Sequence, residues 1–217
     1  GVVLSEWRSG LSPDQRMRKQ YFPIMYQNSK YANRLPIGKP EIIENADYNT
    51  VKRFYYDWYR PNLMAIAIVG DVDVDQMEKK IRKRFSDLNN PKEARERTTF
   101  EVPQHEKTLI AVASDQEAPF TQVRLMYKHP TQKVKTMMDY RQQIVHRLYN
   151  SMINARLDEL RQQATPPFLY GYSGYSKDLG DIDTYTSFAT VAEGGALEGP
   201  KALLVENRRV LQHGFTA

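Results

Sequence analysis

Few residues in this sequence have the types and spacing that a catalytic site requires. The 217 residues contain no cysteine, which excludes disulfide scaffolds, thiolate zinc sites and cysteine nucleophiles. The histidines are scattered and do not form the paired spacing of metal ligands on a helix; they are His105, His129, His146 and His213. Ser12, Ser114 and Ser173 lack the Gly-x-Ser-x-Gly context of a nucleophilic serine. Composition and spacing alone therefore identify no activity.

Glu6 is the carboxylate with the most unusual surroundings. It lies in Gly1–Arg8, a short helical segment that is otherwise mostly apolar. Taken by itself, Glu6 is best interpreted as a residue of an amphipathic helix that pairs with Arg8 or faces water.

The charge pattern argues against nucleic acid and membrane as partners. The sequence has 31 Lys and Arg residues and 26 Asp and Glu residues. This excess of positive charge is mild, and it is dispersed along the chain. The densest basic stretch, Lys79–Arg84, coincides with apolar residues at helical spacing, which indicates the exposed face of an amphipathic helix. The longest apolar run, Leu63–Val69, is far shorter than the ~18 residues of a membrane helix. We expect no nucleic-acid partner and no membrane-spanning segment.

Capping residues and apolar spacing predict four helices and a strand in the first part of the chain. A helix ends near Arg8, and the next begins at Ser12 as N-cap, with proline in its first turn. Residues 28–46 have loop composition. A helix capped by Asp47 ends before Arg60, and one capped by Asp73 reaches about Phe85. Between these two, residues 63–69 are predicted to form a buried strand.

Residues 86–97 are polar and without periodicity, which favours a linker. Strands are predicted beyond it at 98–102, 107–114, 121–128, 168–176 and 182–191. Helices are predicted at 134–163 and 196–212. Helices and strands in blocks, with hairpin-length gaps, indicate an α+β fold with a largely antiparallel sheet.

The order of segments resembles the pitrilysin/insulinase family of zinc metallopeptidases, the inverzincins. The resemblance begins at Gly1–Arg8 and continues through Leu35–Gly38. Its most specific part is Phe54–Asp73, which looks like the helix, strand and Val-Gly-Asp signature of the family. Asn154–Leu157 and Tyr170–Tyr172 are similar to the matching portion of the second family domain. The resemblance spans nearly the whole chain.

The resemblance implies a metal-binding role for Glu6. In the family, His-x-x-Glu-His supplies two zinc ligands and the general base, and a downstream glutamate completes the site. Glu6, one residue before Trp7, matches that downstream ligand, whereas the sequence contains no His-x-x-Glu-His. We therefore expect this sequence to be a fragment of a longer parent protein. The intact parent should bind Zn²⁺, whereas residues 1–217 alone should bind none and should contain no catalytic residue.

The resemblance also implies two α/β-roll units, the first incomplete. Residues 1–86 would be the later part of the first, zinc-site domain, 87–97 a linker, and 98–217 a truncated, non-catalytic second domain. The family's second half-enzyme holds substrate with an arginine and a tyrosine seven residues apart. Here Arg161 and Tyr170 are nine apart, which favours core packing, so the substrate-binding residues are unassigned.

The resulting functional prediction is a fragment of a zinc metalloendopeptidase, inactive without the upstream motif. Its partners would be a peptide substrate and a second half, or another subunit, that closes a chamber. The parent would lie in the periplasm or cytoplasm of a bacterium. One alternative is a non-catalytic homologue that supports an assembly. The other is a basic binding module, which predicts salt-sensitive affinity for nucleic acid or anionic lipid.

Overall fold

A computed structural model describes residues 1–215, and their contacts divide them into two compact units. The first unit contains Gly1–Trp7 and Ile37–Thr99. The second contains Arg8–Pro36 and the residues from Phe100 onward. Residues 8–36 thus pack with the second unit. The family-domain boundaries at 1–86, 87–97 and 98–217 stay a prediction.

The first unit contains four α-helices, two of which have side-chain N-caps. They are α1 (Val2–Ser9), α3 (Pro40–Asn45), α4 (Tyr48–Trp58) and α5 (Val74–Phe85). Of α1, the residues up to Trp7 belong to this unit. The carboxylate of Asp47 accepts a hydrogen bond from the Thr50 amide, and that of Asp73 accepts one from the Gln76 amide, both at 2.9 Å. Both predicted caps are confirmed. The predicted loop at 28–46 is partly wrong, because it contains α3 and a 3₁₀ turn at Lys30–Asn33.

The predicted buried strand at 63–69 is wrong. Residues 64–69 form no helix or strand, and their apolar side chains are exposed, with Val69 at 97%. A strand needs a neighbour for its backbone hydrogen bonds, and the described residues of the first unit contain no strand to provide one. Throughout residues 1–7 and 37–99 no apolar side chain is buried.

The second unit contains three long helices. They are α2 (Pro13–Met25), α6 (Met137–Arg161) and α7 (Glu198–His213). The Ser12 hydroxyl accepts a hydrogen bond from the Gln15 amide, as predicted. α6 begins with a capping box in which Thr136 and Asp139 bond reciprocally.

The sheet of the second unit has three antiparallel strands in the order β1-β3-β2. They are β1 (Thr121–Pro130), β2 (Tyr170–Lys177) and β3 (Ile182–Val191). The register places Tyr127 and Tyr175 on either side of Tyr185. The α+β class is therefore confirmed. The strands predicted at 98–102 and 107–114 are wrong, since those residues pair with no strand of the described chain.

Two apolar clusters form the core of the second unit. One joins α6 and α7 to the sheet through Leu157, Phe168, Ala189, Val191 and Leu203. The other consists of Phe22, Tyr26, Ala32, Val102 and Ile182. Nothing among the helices of residues 1–215 has the length and hydropathy to cross a bilayer.

Candidate functional site

Glu6 is exposed on α1, where Val2 and Val3 are exposed as well. An exposed carboxylate can donate an oxygen to Zn²⁺. Within residues 1–215, however, no group of three or more His, Asp or Glu side chains is placed to hold a metal ion. The chemistry of Glu6 fits one position of a zinc site, and the described residues do not complete that site.

Arg161 and Tyr170 both line a cavity of about 350 Å³ between α6 and β2. Arg161 forms an ion pair with Asp158, with 2.7 Å between the guanidinium nitrogen and the carboxylate oxygen. Asn150 and Asn154 line the same cavity and bond to the backbone of β2. The structure thus brings together the two residues that the sequence analysis had considered as a pair.

Two of the four histidines pack against one tyrosine. The His146 ring stacks on Tyr175 with 4.4 Å between centroids, and the His129 ring meets Tyr175 edge-on at 6.0 Å. Gln142 contacts the Nε2 atom of His146 at 3.1 Å. These contacts favour packing roles for both histidines.

A polar network, which sequence analysis missed, joins α7 to the sheet. The Asn207 side chain donates to the Ser173 hydroxyl at 3.0 Å and accepts a hydrogen bond from the Tyr185 hydroxyl. The Ser173 and Ser187 hydroxyls are 2.9 Å apart, and both side chains are buried. Burial, and secondly the hydrogen bond with the Tyr149 hydroxyl, raise the pKa of Tyr185 above its ordinary value and so favour the neutral phenol. The network satisfies buried polar groups, and such networks specify one packing arrangement.

A buried carboxylate on α7 joins this helix to α6. Glu206 is only 3% exposed and accepts two hydrogen bonds from Arg156, at 2.8 and 3.1 Å. Its other oxygen pairs with Arg209 at 2.8 Å. The sequence signal is a charged residue on the apolar face of a helix, between Leu203 and Val210. Two cations compensate the buried charge, which makes this cluster structural.

Comparison with curated proteins finds zinc proteases. The chain is 34% identical over 169 residues to "Zinc protease PQQL-like" of Arabidopsis thaliana, covering 77% of this chain and 18% of that protein. It is 32% identical over 164 residues to "Probable zinc protease PqqL" of Haemophilus influenzae, covering 75% of this chain and 18% of that protein. The chain therefore spans less than a fifth of the length of these relatives.

Solved structures show the same fold. The first half of the periplasmic protease PqqL from Escherichia coli superposes with a TM-score of 0.79 at 24% identity, covering all of this chain and 46% of that one. The ferredoxin protease FusC, solved in complex with Arabidopsis ferredoxin, superposes with a TM-score of 0.76 at 25% identity. The match covers 98% of this chain and 24% of that one.

A family model described as "Peptidase M16 inactive domain" matches residues 45–217. This range is most of the chain, and it includes the second-unit sheet, α6 and α7. The resemblance to pitrilysin/insulinase-type peptidases is confirmed: this chain belongs to the M16 family of zinc metallopeptidases.

Proposed function

We propose that this chain is part of a zinc-dependent metalloendopeptidase that cleaves peptides or small proteins. The observation that carries the proposal is the match of residues 45–217 to the inactive domain of the M16 family, together with relatives named zinc proteases. Residues 1–217 contribute to the wall of the substrate chamber. The remaining part of the parent, or another subunit, closes that chamber. The E. coli relative, described as a periplasmic protease, supports the periplasm as the compartment.

Glu6 is the one metal ligand that we assign to these residues. Its support is its exposed position on α1, one residue before Trp7, and the family pattern of the segment. Zn²⁺, when bound, supplies a Lewis acid that activates water. Glu6 contributes negative charge and an oxygen donor. The sequence contains no His-x-x-Glu-His, the motif that supplies the general base and two further ligands in the family, so we propose that residues 1–217 hydrolyse no peptide by themselves.

The test is Glu6→Gln in the full-length parent. An amide oxygen is a weaker donor and carries no charge, so we expect zinc content to fall strongly and the peptidase rate to fall at least about tenfold. Zinc is measured by atomic emission and the rate with a quenched fluorescent peptide. The matched control is Glu44→Gln, an exposed glutamate on α3, which should change neither quantity.

Two results would contradict parts of this proposal. Full zinc content and full rate in the Glu6→Gln parent would remove the ligand assignment. A wild-type parent that binds no zinc and cleaves no peptide would favour the alternative, a non-catalytic homologue that acts in an assembly.

A further inference from the structure

The helix that carries Glu6 is joined to α2 by a short connection. Glu6 lies less than one turn from Ser9, the last residue of α1. Residues 10–12 then lead directly into α2. The backbone of this connection is ordered by a hydrogen bond in which the Leu11 amide donates to the Arg8 carbonyl at 3.1 Å. Whatever holds α2 in place therefore also restricts the C-terminal end of α1, and with it the backbone of Glu6.

Arg16 holds the first turn of α2. Its guanidinium donates a hydrogen bond at 2.8 Å to the carbonyl of Leu11, which lies in the connection itself. The same guanidinium donates two hydrogen bonds to Asp115, at 2.6 and 2.7 Å, and one to Glu117. Two parallel bonds between a guanidinium and a carboxylate fix orientation as well as distance. Arg16 therefore ties the connection between α1 and α2 to a residue 99 positions later in the sequence.

Tyr26 holds the other end of α2. It follows the last residue of the helix and is only 2% exposed. Its hydroxyl donates to the carboxylate of Asp178, whose two oxygens lie 2.7 and 2.8 Å away. Lys128 donates to the carbonyl of Met25, which satisfies one of the unpaired carbonyls at the helix end. Phe22 packs against Tyr26 with 4.5 Å between ring centroids. Side chains from distant parts of the second unit thus fix α2 at both ends.

We propose that Arg16 and Tyr26 are positioning residues of the zinc site: by anchoring α2, they hold the C-terminal end of α1 and keep the Glu6 carboxylate where the metal binds. This inference rests on the proposed function, in which Glu6 is a zinc ligand. A metal ligand must be held within roughly 0.5 Å of its productive position. Residues 1–7 contain no buried side chain, so the anchor at the other end of the helix contributes much of this restraint.

The first measurement uses the metal-free, full-length parent. Amide hydrogen exchange of a peptide covering residues 2–12 is followed by mass spectrometry in the wild type and in the double variant Arg16→Gln/Tyr26→Phe. We expect exchange at least about fivefold faster in the double variant, because α1 opens more easily when α2 is released. The matched control, Arg34→Gln/Tyr48→Phe, removes the same groups at exposed positions and should leave exchange unchanged. Wild-type exchange in Arg16→Gln/Tyr26→Phe would overturn the inference.

Two substitutions of Asp178 isolate the hydrogen bond of Tyr26. Asp178→Asn keeps a side-chain oxygen that accepts a hydrogen bond from the phenol, so exchange of residues 2–12 should stay close to that of the wild type. Asp178→Ala removes the acceptor and leaves the buried hydroxyl without a partner, so exchange should become faster. Equal exchange in these two variants would contradict a role of this hydrogen bond in holding α1.

The second measurement is the release of zinc from the loaded parent to a chelator. Loss of groups that orient a metal ligand typically weakens metal binding by about 10–100-fold, so Arg16→Gln/Tyr26→Phe should release zinc at least about tenfold faster than the wild type. The control for general destabilisation is Glu206→Gln, which weakens the contact between α6 and α7 and leaves the contacts of α2 intact. It should release zinc at the wild-type rate. Release as fast as that of the double variant would show that loss of stability, and not positioning, is the cause.

The inference and the proposed function fail in different ways. Zinc retained by the Glu6→Gln parent would overturn the ligand assignment, and the positioning role with it. Zinc lost from Glu6→Gln but held normally by Arg16→Gln/Tyr26→Phe would overturn the positioning role alone.

Discussion

Arg16 controls the ionisation of a carboxylate far away in the sequence. Its guanidinium donates two hydrogen bonds to Asp115, at 2.6 and 2.7 Å, and holds the pKa of Asp115 at about 2. The cause is that these bonds favour the charged form of the carboxylate. A folded-state pKa below the ordinary value contributes stability above about pH 4. That contribution is lost as the pH falls toward 2.

We predict that Arg16→Gln raises the pKa of Asp115 toward its ordinary value of about 4, because the charged partner is gone. Carbon-detected NMR titration of the Asp115 carboxyl measures this shift. Arg82→Gln, which removes an exposed i,i+4 pair with Glu78, should leave the titration of Asp115 unchanged. A pKa of Asp115 that stays near 2 in Arg16→Gln would show that the pairing does not cause the depression.

Glu206 contributes stability through its two arginine partners. We predict that Glu206→Gln destabilises the second unit by about 3 kcal/mol, because it leaves Arg156 without its counter-charge where α6 meets α7. Urea unfolding followed by circular dichroism measures this loss. The control is Glu198→Gln, whose pair with Lys201 is exposed and should change stability by less than about 0.5 kcal/mol. Equal effects of the two changes would refute the structural role of Glu206.

At the scale of elements, helices were predictable because their signals are local. Ser12, Asp47 and Asp73 each cap a helix as predicted, since an N-cap needs only its own next three residues. Strands were less predictable. Residues 121–128 pair with residues 182–191 in the sheet. Residues 63–69 and 107–114 have a similar composition, but no strand of the described chain pairs with them. Composition indicates an extended segment, but pairing depends on distant residues.

The candidate site was predictable only in part. Glu6 stands out by family resemblance, and no spacing rule identifies it, because its would-be co-ligands are absent from the sequence. The network around Asn207 could not be predicted, since it joins β2, β3 and α7 across more than 30 residues. Such contacts depend on tertiary packing, which sequence periodicity does not specify.

α7 packs so closely against β3 that a side chain at position 199 would collide with Val191. A Cβ atom on Gly199 would lie 2.4 Å from the Cγ1 atom of Val191. Helix propensity alone favours Gly199→Ala by about 1 kcal/mol, but overpacking costs about 1–3 kcal/mol. We predict a net loss of stability, measured as a lower melting temperature of the second unit.

A second variant separates overpacking from other causes of that loss. Adding Val191→Ala removes the contacting methyl groups, so Gly199→Ala should cost less in that background. Additive effects of the two changes would contradict the packing explanation. The absence of a side chain at Gly199 thus allows α7 to pack closely against β3.

At the scale of the whole molecule, the two units differ in how much apolar surface they bury. The second unit has side chains such as Ile153, Leu157 and Leu203 at 1% exposure or less. In the first unit, among residues 1–7 and 37–99, the buried residue is Arg60, whose guanidinium donates to the Arg95 carbonyl. Burial of apolar surface is the main favourable contribution to folding, so the second unit has far more stabilisation of its own.

We therefore predict unequal protection from amide hydrogen exchange in residues 1–217. Protection factors in α6 and β3 should exceed those in α4 and α5 by at least about tenfold, because local opening of the first unit exposes little additional apolar surface. Exchange followed by mass spectrometry measures this, after correction for intrinsic exchange rates. Both Trp7 and Trp58 lie in the first unit, so tryptophan fluorescence should report unfolding at lower urea than circular dichroism does. In the full-length parent, additional chain can cover residues 64–69, and protection in α4 and α5 should rise toward that of α6. Equal protection of both units in residues 1–217 would mean that the first unit is stable without further chain, contrary to what its exposed apolar residues indicate.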